Sequence, residues 1–361
     1  MIDASIETIT NITPHPNADK LEIATICGYP VIVSKGMHQV GEQLFYIRED
    51  AQLTGEFGKF PWQESASKYT SRSKRIKAIK LRGSTSMGLA ISLKDLGIDP
   101  LDIQFINDHI NNPDTGAQYL LEYFGITHFV AEDTIKNPDA AGLLPYGLSK
   151  SDEYNVQEFF DKDTDSIPWG QPCLVTKKID GQSMMIVCTP DGEISLCSRR
   201  FKLKTDDPNT RHMIAAKDII PLARAYASHV NKIVAFRGEL TASNVQALKF
   251  NHDRLINDGK PTFHLYGCHF PELSTLQDSH GFYGTPYHFL QVNETIKELT
   301  GYSIRTVPIL EKDVPLTKEL CMKYINMPKS FGEGVVLNFS SGIGSCKAKS
   351  LDYICKQAEV L

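Results

Sequence analysis

Short apolar runs separated by turn residues fill the first 130 residues of this 361-residue chain. β-Branched and apolar side chains occupy 21–26 and 30–34, on either side of the turn Cys27-Gly28-Tyr29, and similar runs occupy 43–47 and 88–93. Runs of this length with turn residues between them are typical of β-strands. Several short strands at nearly regular spacing predict a small β-barrel.

Three further segments of the first part are predicted from local pattern. Residues 75–81 alternate imperfectly between basic and apolar side chains, which predicts a strand. Residues 114–124 form a predicted helix that begins after Pro113 and ends at Gly125. The proline- and glycine-containing segment 131–149 is predicted to be a linker.

From about residue 150, strand-like runs mix with a helical pattern. Strands are predicted at 184–188 and 194–198, joined by the turn Thr189-Pro190-Asp191-Gly192, and a helix at 214–230. Further strands are predicted at 233–240, 262–268, 334–339 and 345–350. We therefore predict an α+β protein, with a barrel domain over 1–130, the linker over 131–149 and a mixed α/β domain over 150–361.

Composition excludes several classes of protein. A net charge of −5, with 41% hydrophobic and 22% charged residues, is typical of a globular protein. No apolar run approaches the roughly 18 residues of a membrane helix, and residues 1–10 lack a signal-peptide pattern. The eight cysteines form no CxxC pair and the histidines show no HxxxH spacing, so no zinc site is predicted. We expect buried thiols in a reducing cytoplasm.

One basic segment stands out in this mildly acidic chain. Residues 68–82 contain no acid and seven basic residues: Lys68, Arg72, Lys74, Arg75, Lys77, Lys80 and Arg82. A concentrated basic stripe suits a polyanionic partner such as nucleic acid. A solvated strand face is the alternative interpretation.

A pair of lysines near the end of the chain indicates a phosphate site. On a strand, residues i and i+2 face the same side, so Lys347 and Lys349 point together. Two neighbouring ammonium groups repel each other, and phosphate oxygens are the anions that would favour this arrangement. Glu239 and Glu333 also lie on predicted strands, and carboxylates beside a polyphosphate usually hold a hard divalent cation.

Short motifs occur in a diagnostic order over residues 150–361. Lys178-Ile179-Asp180-Gly181 is followed by Arg237-Gly238-Glu239-Leu240, then Glu333-Gly334-Val335-Val336, then Lys347-Ala348-Lys349. With Ser198-Arg199 and Phe263-His264-Leu265-Tyr266 between them, they resemble the signature of covalent nucleotidyltransferases. That superfamily, unrelated to ATP-grasp enzymes, contains polynucleotide ligases and mRNA capping enzymes.

Two features narrow this resemblance to RNA ligases. Only twelve residues follow Lys349, which leaves no room in this chain for the further barrel domain of DNA ligases and capping enzymes. The string His15-Pro16-Asn17-Ala18-Asp19-Lys20-Leu21 and the strands after it resemble the N-terminal OB-fold of one RNA ligase branch. That branch includes nick-sealing enzymes from Deinococcus and Naegleria. The same string also resembles the tRNA-binding barrel attached to some synthetases.

The resemblance implies an ATP-dependent RNA ligase for RNA repair. It would seal 3′-OH and 5′-phosphate ends of nicked or broken RNA through a lysyl-AMP on Lys178 and an RNA-adenylate. Catalytic roles are implied for Lys178, Asp180, Glu239, Glu333, Lys347 and Lys349. ATP contacts are implied for Thr176, Lys177, Lys178, Ile179, Arg199, Glu239, Phe263, Glu333, Val335, Lys347 and Lys349. Phe263, or alternatively Tyr266, would stack on the adenine.

Cofactors and partners are implied in the same way. Mg²⁺ or Mn²⁺ would be held through water by Asp180, Glu239 and Glu333. RNA would be bound by Arg72, Lys74, Arg75, Lys77, Lys80 and Arg82. We expect a monomer that is not membrane-bound. The alternatives are a GTP-dependent capping-type nucleotidyltransferase and a non-catalytic tRNA- or RNA-binding OB protein.

Some residues depart from the family pattern or are set aside. Lys177 stands where a glutamate often precedes the nucleophile, and Asn155 where relatives have an arginine. Nearby cations, among them Lys177, are expected to lower the pKa of Lys178 and so favour the neutral amine. His252-Asp253 is interpreted as part of a surface loop, because phosphoryl transfer needs little acid–base chemistry.

Overall fold

A computed structural model describes most of the chain in two compact units. The described residues are 3–54, 62–63, 70, 74–96, 121, 124–128, 138–148, 153–161, 164–271, 287–341 and 343–360. One unit comprises Met1–Ile135, Gln157–Asp163 and Ile354–Leu361, and the other comprises Lys136–Val156 and Thr164–Tyr353. Within the described ranges, no helix is long and apolar enough to cross a membrane.

The first unit is built on an antiparallel sheet. Its strands are β1 Ala4–Pro14, β2 Leu21–Ile26, β3 Tyr29–Ser34, β4 Gln43–Ile47, β5 Ala51–Leu53, β6 Ile79–Leu81, β7 Ser84–Ser86, β8 Leu89–Ser92 and β9 Ile126–His128. Five of them pair in the order β3-β2-β1-β4-β8, while β5 pairs with β9 and β6 with β7. The alternating apolar residues of these strands bury a core that includes Ile6, Phe45 and Ile47.

Local pattern predicted only part of this set of strands. The bounds of β2 and β4 are confirmed, whereas β1, β5, β7 and β9 were not predicted. The strand predicted at 75–81 is shortened to β6, because Ile76 is fully buried and its N–H donates to Ala51 O instead of continuing a ladder. The helix predicted at 114–124 lies almost wholly outside the described residues. Phe124 packs against Phe45 with ring centroids 5.0 Å apart.

The second unit contains two larger sheets. Its strands are β10 Ala140–Leu143, β11 Tyr154–Asn155, β12 Pro172–Lys178, β13 Gln182–Cys188, β14 Ile194–Ser198, β15 Phe201–Leu203, β16 Val234–Thr241, β17 Thr262–His269, β18 Ile309–Pro315, β19 Gly334–Asn338 and β20 Ser345–Lys349. One sheet has the order β10-β15-β14-β13-β16-β17 and the other β11-β20-β19-β12-β18.

Four helices belong to this unit in the part of the chain that is described, and a fifth begins in it and continues into the first unit. They are α1 Arg211–Ala216, α2 Ile220–Val230, α3 His288–Thr300, α4 Lys318–Ile325 and α5 Leu351–Val360. The single helix predicted at 214–230 is two helices, since Pro221 lies in the first turn of α2, where its missing N–H costs no hydrogen bond. Buried residues of α2 and α3 pack with Phe236 and Leu265 in the largest core.

The predicted linker is partly a strand. Residues 140–143 form β10, which pairs antiparallel with β15. Composition alone favoured a linker because this segment carries Pro138, Pro145 and Gly142. Short edge strands tolerate such residues, since only one side of the strand needs hydrogen bonds. The eight cysteines are all buried and unbridged, as expected for reduced thiols.

Two motif glycines are required by close packing. A Cβ on Gly238 would lie 2.4 Å from the Phe263 ring. A Cβ on Gly334 would lie 2.2 Å from Ala348 O, and its φ of +145° disfavours any other residue. These glycines therefore let β16 and β19 approach their neighbours, and this approach places the adjacent Glu239 and Glu333.

Candidate active site

An open pocket of about 490 Å³ lies in the second unit. Its charged and polar lining residues are Glu153, Thr176, Lys177, Lys178, Glu239 and Asn338, and its apolar and aromatic ones are Ile179, Tyr266, Val307 and Val336. A volume of this size suits a cofactor-sized ligand. Aromatic and aliphatic groups beside a cluster of charges suit a molecule with a flat ring and an anionic tail.

Strand register brings the lysines of separate motifs together. Lys178 on β12 pairs with Gly334 on β19, which pairs with Lys349 on β20. Two residues further along the same strands, a second row is formed by Thr176, which pairs with Val336, and by Lys347, which pairs with Val336 from the other side. Because side chains two residues apart share a face, the two rows present all three lysines on one side of the sheet.

Glu333 forms ion pairs with two of these lysines. Its Oε2 lies 2.8 Å from Lys178 Nζ and its Oε1 lies 3.4 Å from Lys349 Nζ. Burial by itself lowers the pKa of Lys178, but the carboxylates of Glu333 and Glu239 and the hydrogen bond to Glu333 outweigh burial and raise that pKa. The expected lowering of the pKa of Lys178 is therefore wrong for the free protein.

The positions of the other lysines explain why the pKa of Lys178 is not lowered. Lys177 is paired with Asp253 at 2.6 Å instead of facing Lys178. Lys347 is the lysine whose pKa falls, to about 8, because burial and the charges of Lys349 and Lys178 disfavour its ammonium form. The free site therefore holds its nucleophile candidate as an ammonium ion bound to a carboxylate.

Two further carboxyls are destabilised in their charged forms. Burial raises the pKa of Glu239 to about 8, and the opposing charge of Lys178 only partly compensates. Burial and the nearby Glu333 raise the pKa of Asp180 to about 6, although Tyr353 Oη donates a hydrogen bond to Asp180 Oδ2. Such pKa values are typical of a site built to receive positive charge.

The donor set suits a hydrated cation. Asp180, Glu239 and Glu333 offer the oxygen ligands that Mg²⁺ and Mn²⁺ prefer. Within the described ranges, no group of three or more His, Cys, Asp or Glu side chains is close enough together to hold a metal directly. The metal role of these three acids stays a prediction, in the water-mediated form.

Two residues predicted to contact ATP are buried and do not line the pocket. Phe263 is 2% exposed and belongs to the core, whereas Tyr266 on the same strand reaches the pocket. Strand alternation explains this, because Phe263 and Tyr266 are three residues apart on β17, and Tyr266 shares its face with His264, which pairs with the pocket residue Glu239. Val335 is fully buried, and its neighbour Val336 lines the pocket instead.

Other predicted residues lie near the pocket or contribute through the backbone. Arg199 is exposed, and Tyr266 and Glu239 act on it electrostatically. Asn155 pairs with Lys347 through the parallel strand β11. Glu153, just before β11, lines the pocket and was not predicted. No local signal identifies it, because a single glutamate among polar neighbours resembles any surface residue.

The predicted RNA-binding residues belong to the first unit. Lys74, Lys80 and Arg82 are exposed, and Lys77 is half-buried. Arg75 donates from Nε to Asp50 Oδ1 at 2.7 Å, so its charge is partly used inside the unit. Arg72 lies outside the described residues. Binding of RNA by this set stays a prediction.

The His15-Pro16-Asn17 string supports the turn that carries Arg82. His15 is 5% exposed, and its Nε2 lies 3.1 Å from Leu81 O, while Asn17 Nδ2 donates to Arg82 O at 3.0 Å. Arg82 and Gly83 have positive φ, as the two-residue hairpin between β6 and β7 requires. The string therefore has a structural role in this unit.

Comparisons with known proteins agree with both halves of this description. A family profile for RNA ligases matches residues 171–352, and a profile for an OB-fold domain matches residues 3–93. The fold resembles that of Naegleria gruberi RNA ligase. A ligand-free variant of that enzyme has 22% identity and a TM-score of 0.73 and covers 99% of this chain and 98% of its own.

Two liganded structures of the same enzyme are similar. A variant with AMP and Mn has 22% identity and a TM-score of 0.73, covering 99% of both chains. A variant with ATP and Mn has 23% identity and a TM-score of 0.71, covering 98% of both chains. No curated protein matches significantly. Since the ligase profile spans half of the sequence, and the expected OB-fold precedes it, this chain belongs to the RNA ligase family.

Proposed function

We propose that this protein is an ATP-dependent ligase that seals 3′-OH and 5′-phosphate RNA ends through a lysyl-AMP on Lys178. The observation that carries the proposal is the strand register that places Lys178, Lys347 and Lys349 on one face beside a ring-sized pocket. Three lysine side chains on one face of the sheet provide the positive charge that the phosphates of a nucleoside triphosphate need. The ATP and AMP complexes of the Naegleria enzyme support the choice of nucleotide.

In the first step, Lys178 Nζ attacks the α-phosphorus of ATP. The N–P bond forms, the bond from phosphorus to the β-bridging oxygen breaks, and pyrophosphate leaves with the electron pair. The ammonium must first lose a proton to solvent, because Glu333 Oε2, 2.8 Å away, orients the ammonium and favours it over the neutral amine. Lys347 and Lys349 stabilise the charge that develops on the phosphates.

In the later steps, AMP passes to the RNA. A 5′-phosphate oxygen attacks the lysyl-AMP phosphorus and releases Lys178, which gives an RNA-adenylate. A 3′-hydroxyl then attacks the 5′-phosphorus, forms the phosphodiester and releases AMP. A divalent cation, held through water by Asp180, Glu239 and Glu333, would supply charge neutralisation at the phosphates.

Covalent labelling tests this function. Purified protein is incubated with α-labelled ATP or GTP and Mg²⁺ or Mn²⁺, after removal of any bound AMP, and the denatured polypeptide is examined for label. We expect label from ATP alone. Label from GTP alone would favour the capping-type alternative, and absence of label under all conditions would favour a non-catalytic RNA-binding protein.

Tyr266 is expected to stack on the adenine. Replacement of Tyr266 by Ala should raise the KM for ATP in adenylylation by about 5- to 100-fold, because base–aromatic stacking contributes about 1–3 kcal/mol. Tyr266→Phe should stay within about threefold of the wild type. Tyr302→Ala, at a tyrosine 71% exposed, is the control. An unchanged KM in Tyr266→Ala would contradict the stacking role.

The basic residues of the first unit are expected to bind RNA phosphates. The triple variant Lys77→Ala, Lys80→Ala, Arg82→Ala should weaken RNA binding and reduce the slope of log Kd against log salt by about 2–3, since each lost phosphate contact removes about 0.7–0.9. Filter binding over a range of salt concentrations measures both. Lys94→Ala, at an exposed lysine of the same unit, is the control. An unchanged slope would rule out this surface as the RNA site.

A further inference from the structure

Asp253 is buried beside the nucleophile motif. The sequence placed it in a surface loop, yet its residue exposure is 3% and that of Asn251 is 2%. Its Oδ1 lies 2.6 Å from Lys177 Nζ. An ion pair with one member almost fully removed from water is costly to build and is retained where geometry matters.

The same two residues hold the backbone of Asp180. Asp253 Oδ2 accepts a hydrogen bond from Asp180 N–H at 3.1 Å, and Asn251 Nδ2 donates to Asp180 O at 2.9 Å. Asn251 Oδ1 also accepts from Asp253 N–H at 3.0 Å, which fixes the two side chains relative to each other. The residues on either side of Lys178 and Ile179, namely Lys177 and Asp180, are therefore both held by these contacts.

The ion pair also lies against the segment that carries Glu333. A Cβ on Gly332 would lie 3.2 Å from Lys177 Cε and 3.6 Å from Asp253 Oδ2, and Gly332 has a φ of +115°. The pair thus fills the space that a larger residue before Glu333 would need. Lys178 follows Lys177 in the chain, and Glu333 follows Gly332. Lys177 and Gly332 both lie next to Asp253, so each partner of the Lys178–Glu333 contact is adjacent to a residue beside Asp253.

We propose that Asn251 and Asp253 are positioning residues that hold the 177–180 segment so that Lys178 Nζ meets the α-phosphate. This inference rests on the proposed function. It replaces the expectation that the charge of Lys177 acts on Lys178, because its ammonium is engaged by Asp253. Lys178 reacts in the first two steps only, so loss of the positioning contacts should affect those steps and spare the last one.

Step-resolved kinetics test the inference. In Asp253→Asn the single-turnover rate of lysyl-adenylate formation should fall about 10- to 100-fold with the KM for ATP within threefold, since displacement of a reacting group by about 1 Å costs up to about 100-fold. Sealing of a nicked RNA that already carries a 5′-adenylate should stay within threefold. Lys323→Met, which removes an exposed ion pair with Glu311, should leave both rates unchanged.

A mutant cycle and a second variant complete the test. Lys177→Met combined with Asp253→Asn should be no slower than Asp253→Asn alone, because both changes remove one contact. If Asp253→Asn does not fold, Asn251→Ala should show the same separation of the steps. Adenylylation within threefold of the wild type, or a parallel loss of both steps, would overturn the inference. A wild type that takes no label would instead overturn the proposed function.

Discussion

Lys178→Ala is expected to abolish covalent labelling by ATP, with a loss of at least about 10³-fold in adenylylation. Other amines lie near Lys178, but Lys177 is engaged by Asp253, and Lys347 and Lys349 lie on β20 instead of β12. Lys347 has a lowered pKa and is the amine that comes nearest to replacing Lys178. It lies on another strand, however, and a nucleophile works only within bonding reach of its target.

The same variant separates the chemical steps. Lys178→Ala should still seal RNA that already carries a 5′-adenylate, because the 3′-hydroxyl is the nucleophile in that step. Gel analysis of label on protein and on RNA measures both activities. Lys312→Ala, at an exposed lysine of the same unit, is the matched control and should be labelled normally. Label that persists on Lys178→Ala protein would mean that another residue is the nucleophile.

Glu333→Gln is expected to change both the rate and the pH dependence of adenylylation. The carboxylate contacts Lys178 and Lys349, so its loss leaves two neighbouring ammonium groups without an acid between them. We expect a fall of about 100-fold in the maximal rate, because the amine is no longer oriented. We also expect a loss of up to about 3 kcal/mol in the free energy of unfolding of the free protein.

The direction of the pH effect follows from the charge. Glu333 favours the ammonium form of Lys178 and raises its pKa, so the rate in the wild type should keep rising above neutral pH. Without that negative charge the pKa of Lys178 falls, and the rate should reach its plateau at lower pH. Single-turnover labelling between pH 6 and 10 measures this. Glu311→Gln is the control, and a plateau moved to higher pH would contradict the assignment.

Much of the fold follows from local pattern. The bounds of β2, β4 and β14 agree with runs of apolar and β-branched residues, because a strand's side chains alternate between faces whatever lies beside it. The shared face of Lys347 and Lys349 follows from the same alternation. The order of the motifs predicted a covalent nucleotidyltransferase, and the N-terminal string that resembles an OB-fold helped to narrow this prediction to an RNA ligase, which the family profile confirms.

Residues far apart in sequence meet only through long-range pairing. Asp253 contacts Lys177 across 76 residues, and no local signal distinguishes it from the loop residues around it. Tyr266 rather than Phe263 reaches the pocket because the two residues lie on opposite faces of β17, and the face of Tyr266 is the one that pairs with Glu239 through His264. Local sequence gives the alternation, but only the pairing with β16 decides which of the two faces meets the pocket.

Chain pattern thus gave the motif residues, their order and several of the strands around them, but not β12, which carries Lys178. The folded structure set the register between β12, β19 and β20, and with it the contact of Lys178 with Glu333. It also reversed the expected pKa shift of Lys178. The physical reason is that periodicity is a property of neighbouring residues, whereas register, burial and electrostatic environment depend on which distant strands pair.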